Sequence, residues 1–228
     1  MKTLSGTLWG LVLAGLTAGA PAADLELEGN RLLVSGTLDG SAVKDFETQL
    51  AGGQVRTVVF ENALGGSAEV AGDYARAIQA AGVNTEVKGQ CQAACAYAFL
   101  AGKEHRFGHG FQVHALLIPV VGRPQPAELV TRWRGDEAQH TLAEFTTPAG
   151  GTAAHSAPDP AAAAPTSAPE DGAKDRWQPN QGVLFTSSPT LFGRVRNTFY
   201  CDGTQGRDLS RCELLPDADP YKLGVLTP

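Results

Sequence analysis

The sequence has no surplus of positive charge, and no apolar run reaching the roughly 18 residues a membrane-spanning helix needs. It has only four cysteines. Lys and Arg number 18 against 24 Asp and Glu, a net charge of −6, and neither half carries a basic cluster. That excludes the electrostatic footprint of a nucleic-acid binder. Neither G-x-G-x-x-G nor a P-loop pattern occurs, so a nucleotide-binding reading has no motif behind it. His105, His109 and His114 fall close together. The RFGHGF stretch between them is Gly-broken and β-like, and Glu104 is the only acidic residue nearby, so they read as hairpin histidines and not as metal ligands. No metal and no cofactor is implied. What is present is an apolar fraction of 43% in 228 residues, enough to core one sizeable domain or two small ones. Collagen-like and wholly disordered classes fail on the same numbers.

The start of the chain reads as an export signal over residues 1–22. Lys2 precedes a short apolar stretch, Leu8 to Ala20, and Ala20-Pro21-Ala22 supplies an A-x-A cleavage pattern. The expectation is a periplasmic or secreted protein with no membrane span after cleavage. An even number of cysteines in an oxidising compartment favours disulfides.

Composition divides the remainder. Residues 23–146 alternate strand-like and helix-like runs. Leu25, Leu27 and then Leu32 to Val34 flank a Gly29-Asn30 turn and predict a hairpin or two short strands. Ser41 is placed to cap a helix carrying Val43, Phe46 and Leu50. Val55 to Phe60 is a β-branched run of the kind buried on both faces of a parallel sheet. Val70, Tyr74, Ala77, Ile78 and Ala81 recur at helical spacing after Gly65-Gly66, with Ser67 as N-cap and Gly82 as stop. Val83 to Val87 predicts a strand, Ala93 to Ala101 a helix apolar on every side and therefore buried, and Val113 to Val121 a further strand. The order β-α-β-α-β-α-β argues an α/β fold with a mostly parallel sheet. Pro126 to Phe145 predicts one more helix, and an exposed apolar face on it would suit an assembly role. Residues 147–180, rich in Ala and Pro and lacking Leu, Ile, Val, Phe and Met from Pro148 to Pro179, read as a disordered linker or insertion. Residues 181–228 return to β-type signals and are expected to pack on the same domain. Cys201 and Cys212 flank a turn-rich stretch there and predict a local disulfide. Cys91 and Cys95 remain as a second pair or as two buried thiols.

Three pieces carry a resemblance: Asn62-Ala63-Leu64-Gly65-Gly66 before a helix, Cys91-Gln92-Ala93-Ala94-Cys95 leading through Phe99-Leu100-Ala101-Gly102, and Val113-His114 on the next strand. Together they resemble the ClpP/crotonase-like superfamily, and most closely its exported bacterial ClpP-like branch. That resemblance implies a βαβ superhelix and serine hydrolysis. A Ser at the start of the buried helix would attack a carbonyl, a His on the next strand would take its proton, and backbone N–H groups would form an oxyanion hole. Carried over residue by residue, Gly65 and Gly66 are the turn, Ala94 is the second oxyanion donor, His114 is the base, and the nucleophile slot is Ala93. Alanine has no oxygen to activate, and losing a catalytic Ser costs on the order of a millionfold in rate.

The resemblance therefore implies a pseudoenzyme that binds a peptide, an acyl group or a protein partner without cleaving it. Self-association into a homo-oligomer stays open, because ClpP-like folds occur as rings, trimers and single chains. The rival reading is an active peptidase or esterase using Cys91, Cys95 or Ser67 with His114. Cys95 lies roughly 200° round the helix from residue 93, and Cys91 lies at the helix entrance, where a thiolate is favoured.

Overall fold

The computed structural model describes residues 22–120, 122–129, 180–205 and 208–228. The chain opens with an antiparallel hairpin, β1 (Asp24–Glu28) and β2 (Arg31–Thr37), turning at Gly29-Asn30 as the two apolar runs predict. Helix α1 (Val43–Ala51) follows and buries Phe46 and Leu50. Ser41 does not cap it: the N-cap is Ala42, and the Ser41 hydroxyl donates to Asp39 instead. Strand β3 (Thr57–Leu64) pairs parallel with β2, and its first four residues are all buried, as its β-branched composition demands. Helix α2 (Ala68–Ala81) ends at Gly82, whose φ of 60° is the left-handed closure that glycine adopts without strain.

Strand β4 (Asn84–Gln92) then runs beside β3, four residues longer than its apolar signal suggested. Helix α3 (Ala94–Leu100) is buried at every residue. Next come two short strands, β5 (His105–Phe107) and β6 (His114–Pro119), which share one edge of β4. The first half of β4, Thr85 to Val87, pairs with β5, and the second half, Gln90 to Gln92, pairs with β6. Both pairings are parallel, so residues 105–119 are not the hairpin that the Gly-broken sequence predicted. His105 is buried, with Nδ1 2.7 Å from the Val225 carbonyl, and is not a surface histidine.

Strands β7 (Gln181–Thr190), β8 (Gly193–Asp202) and β9 (Glu213–Leu214) extend the same sheet antiparallel from β6. The C-terminal segment is thus continuous with the first block, giving a nine-stranded sheet ordered β1-β2-β3-β4-β6-β7-β8-β9, with β5 on β4. It is a mixed sheet: parallel in the centre, where helical crossovers connect the strands, and antiparallel at both flanks. The α/β class stands, and "mostly parallel" is corrected to "mixed". The main core joins the inward faces of the helices to Leu32, Val58, Phe60, Val87, Leu116, Ile118, Val183 and Phe185. Leu215, Leu223, Val225 and Leu226 of the C-terminal tail complete it.

Two disulfides form, Cys91–Cys95 and Cys201–Cys212, which leaves no free thiol among the described residues. Among those residues no helix is long and apolar enough to cross a membrane. The export signal, most of the predicted Pro126–Phe145 helix and the Ala/Pro-rich stretch lie outside the described residues.

Candidate functional site

Three backbone segments meet where the sequence motifs place the site: the end of β3 with its Gly65-Gly66 turn, the β4–α3 junction, and Leu116-Leu117 in the middle of β6. At the junction the chain leaves a strand, reverses at Ala93 and enters α3. Ala93 has φ 56° and ψ −116°, close to the first central position of a type II′ turn, where glycine is the default. Such a conformation costs an L-residue on the order of 1–3 kcal/mol and persists only where surroundings hold it. Here they do. The Ala93 N–H donates to the Leu117 carbonyl (3.3 Å), the Ala93 carbonyl accepts from Ala96 (3.0 Å), and the Cys91–Cys95 disulfide clasps the turn from both sides. A strained strand-turn-helix is the backbone that displays a nucleophile in hydrolases with an elbow of this kind. In this chain it displays a methyl group that is fully buried.

The Gly65-Gly66 turn comes into contact with that junction. Gly66 has φ 92°, and a Cβ built on it would sit 2.4 Å from the Leu38 carbonyl oxygen and 2.5 Å from the Ala94 Cβ. Only glycine lets the turn approach α3 this closely. The approach has a chemical result: the Ala94 N–H donates to the Gly65 carbonyl at 3.1 Å. An oxyanion donor must point at the place where negative charge will develop. This one is engaged by a neighbouring carbonyl. The structure thus brings Gly65, Gly66 and Ala94 together, but as a closed contact.

His114 opens β6. It is fully buried, with its ring stacked on Phe107, the centroids 5.8 Å apart. Its Nδ1 accepts the Gly89 N–H at 3.1 Å. Gly89 precedes Ala93 by four residues, so at about 3.3 Å per residue roughly 13 Å of strand separate the imidazole's anchor from the turn. A backbone N–H must donate, so Nδ1 carries the lone pair and the neutral ring holds its proton on Nε2. A triad histidine needs the opposite tautomer, with Nδ1–H held by a carboxylate and Nε2 free to accept. In His114 the Nε2 atom is buried with no hydrogen-bond partner of standard geometry. Burial, reinforced by the Arg194 guanidinium, holds this ring below the usual imidazole range, against the opposing pull of the Gly108 carbonyl and Glu86.

The substitute nucleophiles each have a structural partner. Cys91 and Cys95 are joined to each other, and a disulfide sulfur has no thiolate to offer. The Ser67 hydroxyl accepts the Val70 N–H at 3.3 Å as the N-cap of α2, the structural alternative that its position before the helix allows.

Some contacts of this region carry no role in the sequence motifs, although Asn62 itself belongs to one of them. Asn62 sits at φ 53° in an irregular stretch of β3, and its Oδ1 accepts the Gln90 N–H at 3.2 Å. That side chain fills the space a Cβ on Gly89 would need, 2.2 Å from the built position. Asn is the residue type most tolerant of positive φ, which is the signal that was there to read. Ser187 is the cross-strand partner of His114, and its hydroxyl accepts from Arg194 Nε at 2.7 Å. Nothing local in the sequence marks that pair. Among the described residues, no group of three or more His, Cys, Asp or Glu is placed to hold a metal ion. No family model, curated protein or solved structure matches this chain.

Proposed function

We propose that this chain is an exported, non-catalytic binding protein of ClpP/crotonase-like type, periplasmic or secreted, that holds a peptide, an acyl group or a protein partner without cleaving it. The observation that carries the reading is the methyl of Ala93: a strained strand-to-helix turn of the kind used to present a nucleophile presents none. Three further features point the same way. The Ala94 amide is bonded to Gly65, His114 Nδ1 accepts the Gly89 N–H where a triad base would donate from that nitrogen, and both nearby thiols are in a disulfide. Two disulfides also agree with an oxidising compartment.

The test is a fluorophosphonate probe and a panel of p-nitrophenyl acyl esters, applied to the exported chain and to Ala93→Ser. Neither protein is expected to show stoichiometric labelling or a burst of nitrophenol, because restoring the hydroxyl restores neither the base nor the oxyanion donor. Rapid one-to-one labelling of any serine in the unsubstituted chain would overturn the non-catalytic assignment. Labelling confined to Ala93→Ser would instead refute the geometry given for His114 and Ala94.

A further inference from the structure

Hairpins closed by two residues favour Asn-Gly, Asp-Gly or Gly at the first central position. The β7–β8 hairpin, whose last pair is Thr190 with Gly193, turns on Leu191-Phe192. Neither turn residue has positive φ, and both are almost wholly exposed, at 95% and 100%. A local rule broken without any gain in packing is the kind of place where function shows itself.

A second exposed apolar residue lies on a segment tied to this hairpin. Arg194, two residues beyond Phe192, donates through Nη1 to the Gly110 carbonyl at 2.7 Å and through Nη2 to the Gln112 carbonyl at 2.8 Å. It is anchored on its own hairpin through Ser187. This pins residues 110–112 to the hairpin, and Phe111 between the two carbonyls is 96% exposed. Val113 and Val195 flank the tips and are about half exposed. Two separate chain segments are thus bolted together with their largest apolar side chains pointing outward.

The charge around them selects the partner. Although the chain as a whole is acidic, residues 105–127 and 180–201, which supply both tips, contain no Asp or Glu. They do contain Arg106, Arg123, Arg194 and Arg196, of which Arg123 pairs with Glu213. Glu86, whose field reaches this corner, is buried and paired with Arg31 and Arg106. Arg196 stacks on Tyr221 at 5.1 Å and lies four residues behind Phe192, about 13 Å along β8. Interfacial proteins bury apolar side chains roughly 5–10 Å into the boundary of headgroup and acyl chain. That depth leaves Arg196 level with the lipid phosphates. Projecting tips also suit a soft, deformable phase better than a flat protein surface, where fully exposed side chains would hold two surfaces apart.

We infer that the paired tips dock this protein on an anionic lipid bilayer surface, with Leu191, Phe192 and Phe111 entering the interface and Arg196 behind them facing the headgroups. Docking rests on the tips alone, so it stands or falls independently of the binding role proposed for the Ala93 region.

The test uses the exported chain, its N-terminus read by mass spectrometry, sedimented with vesicles of phosphatidylcholine alone or mixed with phosphatidylglycerol. Binding is expected only with phosphatidylglycerol and is expected to weaken with added salt. Leu191→Ser/Phe192→Ser is expected to lower partitioning at least about tenfold. Arg196→Gln is expected to lower it about fivefold. Melting temperatures of the tip variant and the unsubstituted chain should coincide, since both tip side chains are exposed. The inference is overturned by equal partitioning of the tip variant, by equal binding to both vesicle types, or by no binding to either. It is also overturned if the tips mediate concentration-dependent self-association that the double substitution abolishes, because the occupant is then a second copy.

Discussion

Ala93 and Ala98 are both fully buried alanines, one in the strained turn and one within α3. Their replacement by glycine deletes the same methyl group from two different backbones. At Ala98 the loss of buried apolar surface costs about 0.8 kcal/mol, and glycine inside a helix costs about 1 kcal/mol more. Ala98→Gly should therefore destabilise the fold by roughly 2 kcal/mol. At Ala93 the methyl loss is the same, and the extra freedom of glycine in the unfolded chain costs about 0.4–1 kcal/mol. Against these stands relief of the φ 56°, ψ −116° conformation, of order 1–3 kcal/mol. The terms nearly cancel, so Ala93→Gly should leave stability within about 1 kcal/mol of the parent and about 2 kcal/mol above Ala98→Gly. Equilibrium urea denaturation of the oxidised protein, with m-values compared to confirm a shared unfolding transition, measures both. Equal losses for the two variants would mean that the turn stores no strain, and the elbow reading of residue 93 would go with it.

Three other outcomes follow from the same geometry. Gly66→Ala drives a Cβ into the Leu38 carbonyl and Ala94 and should cost about 3 kcal/mol or more. Gly53→Ala, at φ 68° with nothing within 4 Å, should cost only its backbone strain of about 1 kcal/mol, so equal melting shifts would refute the close approach. Burial lowers the pKa of both His105 and His114 in the fold. The unfolded chain therefore binds more protons below its own pKa of about 6.5, and stability present above that pH is lost as pH falls through the folded values. The urea midpoint should drop between about pH 7 and pH 5, with a shallower slope in His114→Asn; a flat or rising profile contradicts the burial. Replacing Cys201 and Cys212 together by Ala should cost about 3 kcal/mol, against about 2 kcal/mol for Cys91 and Cys95, whose loop is shorter. A free-thiol assay on the denatured, unreduced chain should find none; two thiols per chain would contradict one pairing and four would contradict both.

Much of the fold was legible because its signals are local. The Leu25–Val34 hairpin, the β-branched run of β3, the helical spacing from Val70 to Ala81 and the all-apolar α3 each follow from the period of their own side chains. Ser67 as N-cap and Gly82 as stop belong to the same class of signal. What misled was also local. Residues 105–119 look like a hairpin because glycines interrupt β-type residues, yet both strands pair with β4, whose middle at Gly89 is where one neighbour gives way to the other. Ser41 has the chemistry of a cap, but Asp39 lies two residues away and takes its hydroxyl proton.

The amino-acid order alone determined the segmentation of this chain: which stretches are helix or strand, where turns must bend through glycine, and that residue 93 has no functional group. Tertiary structure decided everything that depends on which backbone groups meet across the sheet. It aimed the Gly89 N–H at His114 and thereby set the tautomer, laid the Gly65 carbonyl on the Ala94 amide, and used Arg194 to tie residues 110–112 to the β7–β8 hairpin. Each of these contacts joins residues more than 20 positions apart, and strand register controls them. A side-chain period reports which face of a strand a residue occupies, but it carries no information about which residue of the neighbouring strand will lie opposite.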